Sequence, residues 1–118
     1  MSEQQDIKKL VERFAGAAEK SFEARMKGDW RENNKWVKRQ VKAFQKIVEI
    51  GDVARQELLT LLEHENLAIA KSAAAFSLKY ATEESKATLA RISQEPGILG
   101  FEAQQALQRW EEGSWQLE

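Results

Sequence analysis

The sequence predicts an all-α fold, a short α-solenoid of about six helices in three antiparallel hairpins, and three observations carry that prediction. First, residues 52–110 hold two copies of one helical hairpin about 31 residues apart. Sliding the chain by that step lays Leu58 on Leu89, Leu61 on Ile92, Ser72 on Ala103, Ala75 on Ala106 and Phe76 on Leu107. Large residues fall on large ones and small on small. Second, Gly28-Asp29 and Gly51-Asp52 each join a helix stop to a helix start. Third, apolar residues recur at three- and four-residue steps with no strand-like alternation, and only 1 proline and 6 glycines interrupt them.

Ile7, Leu10, Val11, Phe14, Ala18, Phe22 and Met26 form one apolar stripe, which makes the first segment a long helix. Ser2 and Gln5 have capping-box spacing at its start. Gly28 is placed to end it, because glycine takes the left-handed conformation without steric cost, and Asp29 is placed to cap the next helix. That second helix, about 30–50, has its expected core stripe at Trp30, Val37, Val41, Phe44 and Val48. Arg31, Lys35, Lys38, Lys42 and Lys46 share the opposite side, and Trp36 falls between the two faces.

The first repeat goes out over about 53–63 on Leu58, Leu59, Leu61 and Leu62 and turns at His64-Glu65-Asn66, with Asn66 as N-cap. It returns over about 67–81, where Ala70, Ala73, Ala74 and Ala75 allow close backbone approach and Ile69, Phe76 and Tyr80 add bulk. Thr82 is expected to cap the next helix, whose Glu83 and Glu84 favour the positive end of the helix dipole and whose Leu89 and Ile92 point inward. Pro96-Gly97 breaks the chain, a last helix runs over about 98–112, and Gly113 ends it. In the tail, 113–118, Trp115 is expected to cover the open end of the stack, as residues 1–50 cover the other; terminal repeats need such caps.

At 118 residues the chain is read as one domain, able to bury roughly 65% of its unfolded surface. Without cysteine it can form neither disulfides nor thiolate metal sites. Its start lacks a signal-peptide core and no apolar run is long enough to span a bilayer, so a cytoplasmic, membrane-free protein is expected. The net charge of −1 hides an asymmetry: residues 1–50 carry 12 Lys/Arg against 8 Asp/Glu (net +4), residues 51–118 carry 6 against 11 (net −5). Such a split argues against a uniform nucleic-acid-binding surface and allows two faces of opposite sign to steer a charged partner.

Little here points to catalysis, a cofactor or a metal. His64 is the only histidine and falls in a turn, and adjacent carboxylates such as Glu83-Glu84 and Glu111-Glu112 diverge by about 100° on a helix and do not form a dyad. What remains is surface for binding another protein. Trp36 and Trp115 are candidate interface anchors, because aromatics are enriched among interface hot spots. The polar face of the last helix, with Glu102 and Gln105, is a further candidate. The stripe Arg31, Lys35, Lys38, Lys42 and Lys46 is an alternative site, for phosphates or an acidic protein surface.

The segment LLTLLEHENLAIAKSAAAFSLKYATEESKATLARISQEPGILGFEAQQALQRWEEG, within residues 45–115, resembles a HEAT-like bacterial repeat family of unknown function. Its recognisable parts are the leucine-rich helix before HEN, the alanine-rich return helix ending at Tyr80, and the ending GILGFEAQQALQRWEEG. These are packing motifs, and what they imply is a protein-interaction surface. The chain is also similar to small bacterial immunity proteins, which bind and neutralise a cognate toxin, commonly a nuclease. That resemblance implies contacts through Glu57, Glu63, Glu65, Glu102 and Glu111, with Trp36 or Trp115 as anchor. A general scaffold or adaptor, monomeric or homodimeric, is the alternative.

Overall fold

Ser2 opens the structure, a computed structural model that describes residues 2–114, by capping its first helix. The chain forms α1 (Glu3–Met26), α2 (Trp30–Ile50), α3 (Asp52–Leu59), a 3₁₀ turn (Thr60–Glu63), α4 (Leu67–Ser77), α5 (Thr82–Ile92) and α6 (Ile98–Glu112), with no strand among the described residues. No helix among them is long and apolar enough to cross a membrane.

Local chemistry sets most of these boundaries. The Gln5 amide donates to Ser2 Oγ at 3.2 Å, the Glu32 amide to Asp29 Oδ1 at 3.1 Å and the Ala68 amide to Asn66 Oδ1 at 3.0 Å, so three predicted caps form. Gly28 (φ 74°) and Gly113 (φ 76°) adopt the left-handed backbone that ends α1 and α6. Two predicted caps do not form. Gly51 precedes α3 without a side-chain bond, leaving Asp52 inside the helix and paired with Arg55. Thr82 likewise lies inside α5, where its hydroxyl donates back to the Leu78 carbonyl at 2.7 Å and closes the turn that ends α4 early.

The chain divides after Thr60 into two compact units. In the first, α2 returns along α1 and α3 packs on both. Phe14 and Phe44 meet across the α1–α2 seam, ring centroids 6.4 Å apart. Ile7, Leu10, Val11, Phe14 and Ala18 are buried on α1, as the stripe predicted, and Ala17 joins them, while Phe22 is only half-buried. On α2 the buried face is Asn33, Gln40, Ala43, Phe44 and Ile47, turned from the predicted stripe. Trp30 is therefore 59% exposed instead of in the core, and Met26, the last residue of α1 and also expected in the core, is 60% exposed. Two polar residues disguised the true seam: Asn33 is buried because Arg25 Nη1 donates to its Oδ1 at 3.1 Å, clasping the hairpin near its turn.

In the second unit α4 packs on α5 and α6, and α5 on α6. Ala68, Ala70, Ala73, Ala74 and Ala75 are all buried, while Tyr80 lies past the helix end and is 40% exposed instead of adding bulk to the core. Lys71 Nζ meets Glu102 Oε1 at 2.8 Å between α4 and α6, and these residues are themselves 31 positions apart. Arg91 Nη2 donates to the Leu62 carbonyl at 3.0 Å, and Lys86 pairs with Glu111 at 3.1 Å. Burial repeats with the same step in four of the five pairs: Leu58 and Leu89, Ser72 and Ala103, and Ala75 and Ala106 are buried, and Phe76 and Leu107 are both half-buried, whereas Leu61 is half-buried where Ile92 is buried.

Candidate binding groove

Along α1, Leu10, Arg13, Gly16, Ala17 and Lys20 share one flank; along α2, Trp36, Arg39, Lys42, Ala43 and Lys46 face them. Between them lies a groove of about 420 Å³. Small residues create it: Gly16, Ala17 and Ala43 leave a gap where larger side chains would close the helix pair, and nothing lies within 4 Å of the position a Gly16 Cβ would take. The floor is apolar. Five cations, Arg13, Lys20, Arg39, Lys42 and Lys46, form the walls, and among the described residues no carboxylate lines the groove.

None of the five lies within ion-pair distance of a carboxylate among the described residues. Their charges therefore add along the trench instead of cancelling, and an anion entering over an apolar floor meets a focused positive field. Trp36 stands at one end, half-buried, with its Nε1 donating to Glu32 Oε1 at 3.3 Å. Arg39, Lys35 and Lys20 approach its ring centroid at 4.5, 5.1 and 5.5 Å. These cation–π contacts hold the indole and the cations in place around each other. A neighbouring hollow of about 230 Å³ shares Lys20 and Trp36, but Glu23, Asp29 and Glu32 line it beside Lys27, so its charges are mixed.

Of the residues singled out in the sequence, the groove gathers Trp36, Lys42 and Lys46. Lys35 reaches the Trp36 ring and pairs with Glu32 at 3.2 Å, while Arg31 and Lys38 are exposed outside the lining. Arg13, Lys20 and Arg39 were not singled out. Their signal was present: Arg13 and Lys20 are seven apart beside the α1 core stripe, as are Arg39 and Lys46 on α2, but only the helix pairing brings the two rows to one trench.

The acidic candidates are dispersed by comparison. Glu102 is bound to Lys71 and Glu111 to Lys86. Glu57 is half-buried on α3, Glu63 and Glu65 are exposed around the turn before α4, and Gln105 is half-buried on α6. Trp115 lies outside the described residues. His64 Nδ1 accepts from the Asn66 amide at 2.9 Å, a role in shaping the turn. Among the described residues no three of His, Cys, Asp or Glu converge as a metal ion would require.

No family model matches this chain, and no curated protein or solved structure matches it significantly. The groove itself carries the functional argument.

Proposed function

We propose that this chain is a non-enzymatic protein-binding module, an adaptor on HEAT-like stacked hairpins, that takes an anionic segment of its partner into the α1–α2 groove. One observation carries the reading: five cations surround an apolar floor, and among the described residues none of them has a carboxylate partner and no carboxylate joins them. Concentrating like charge in this way raises the self-energy of the folded chain, and an anionic partner relieves it. The Lys71–Glu102 pair supports the stacked-repeat part, since equivalent positions of successive repeats are neighbours in a solenoid. A toxin-neutralising role through the acidic positions has less behind it, because two of those carboxylates already hold internal lysines.

The test compares partners that co-purify with the tagged protein from its own host. Lys42→Glu/Lys46→Glu changes two exposed groove residues, and Glu63→Lys/Glu65→Lys changes two exposed acids. The groove variant should lose the partner by tenfold or about that, and the other should keep it. Loss confined to the second variant would transfer the function to the acidic positions and favour the immunity reading.

A further inference from the structure

The groove has a periodicity that narrows its occupant. On α1 an apolar residue and a cation each recur after seven positions, Leu10 with Ala17 and Arg13 with Lys20; on α2, Trp36 recurs as Ala43 and Arg39 as Lys46. This is the pattern of a coiled-coil seam, apolar in the centre and charged along its edges, repeated on two helices that already pack together. Measured along α1 from Leu10 to Lys20, the trench is about 15 Å long at 1.5 Å per residue.

Resting on the binding role proposed above, we infer that the groove receives an acidic amphipathic helix of the partner as the third strand of a short coiled coil. Such a helix would lay its apolar a and d residues on Leu10, Ala17 and Ala43, with a bulky one over Gly16. Its glutamates or aspartates at e and g would meet Arg13 and Lys20 on one side and Arg39, Lys42 and Lys46 on the other. A trench about three helical turns long, apolar along its floor and cationic on both edges, matches the apolar face and acidic flanks of an amphipathic helix, whereas a polyanion needs no apolar floor. Single-stranded nucleic acid is disfavoured by the same geometry. The aromatic platform on which a base would stack, Trp36, already has Arg39, Lys35 and Lys20 within 5.5 Å of its ring centroid.

The probes are fluorescent peptides of about two heptads: one with leucine at a and d and glutamate at e and g, and one of the same composition scrambled to destroy the spacing. Polyglutamate and a single-stranded oligonucleotide accompany them, with anisotropy reporting binding and circular dichroism reporting gained helix. The ordered peptide should bind the full-length protein at least about tenfold more tightly than the scrambled one and become helical on binding. Gly16→Leu should weaken it about tenfold by filling the trench, with the net charge unchanged; the open space at Gly16 and the better helix propensity of leucine keep that variant folded.

Equal binding of ordered peptide, scrambled peptide and polyglutamate, all weakened by Lys42→Glu/Lys46→Glu, would overturn the helical occupant and leave the anionic groove standing. Indifference of every probe to Lys42→Glu/Lys46→Glu would overturn both. Tighter binding of the oligonucleotide would replace the helix with nucleic acid. A dimer in light scattering that Gly16→Leu dissociates would make a second copy of this chain the occupant instead of an acidic partner helix.

Discussion

Ser85 is fully buried in α5, and its hydroxyl meets no hydrogen-bond partner among the described residues. A buried donor left unmade costs desolvation without return, and serine is also a poorer helix former than alanine. Ser85→Ala is therefore expected to raise stability, by about 1 kcal/mol, in urea denaturation monitored by circular dichroism. A loss of stability would mean that the hydroxyl is satisfied after all. Asn33 shows the opposite case: it is as buried as the apolar residues around it because Arg25 supplies its hydrogen bond. Asn33 and the buried Gln40 together put polar residues into the α2 core face. Periodicity counts apolar residues, and a seam that includes Asn33 and Gln40 is invisible to it, so Trp30 was drawn inward when it faces out.

Helix boundaries were legible where a side chain could reach a free amide in one step, as Ser2, Asp29 and Asn66 do. They were not legible where the same kind of residue had a competing use. Thr82 spends its hydroxyl on the Leu78 carbonyl, and Asp52 turns to Arg55. Two helical glycines complete the picture. In α6, a Cβ at Gly100 would lie 1.9 Å from the Glu95 carbonyl oxygen, backbone against backbone, whereas at Gly16 in α1 it would meet nothing within 4 Å. Gly100→Ala should thus destabilise by more than about 2 kcal/mol, because the turn before α6 has to move. Gly16→Ala should stabilise by about 0.5–1 kcal/mol through helix propensity alone. Midpoints of chemical denaturation compare the two directly, and equal shifts for both would show that the close approach before α6 does not restrain the helix.

Across the whole chain, two properties were visible in the sequence at different depths. The charge split was plain, but only the pairing of α1 with α2 shows that five cations from both helices share one apolar trench. The 31-residue step is plain too in the packing residues, and it extends to polar ones. Lys71 and Glu102 stand in that same register and meet at 2.8 Å with side chains 13% and 21% exposed. If equivalent positions are neighbours, the pair should tolerate exchange of its charges. Lys71→Glu alone and Glu102→Lys alone each set like charges together in a partly buried place and should cost about 2 kcal/mol, between the limits for exposed and buried pairs. The exchanged double variant, Lys71→Glu/Glu102→Lys, should recover to within about 1 kcal/mol of the original, a coupling that a double-mutant cycle measures directly. Additive losses would show that the two side chains are held by other neighbours, and the polar register of the repeat would then be coincidental.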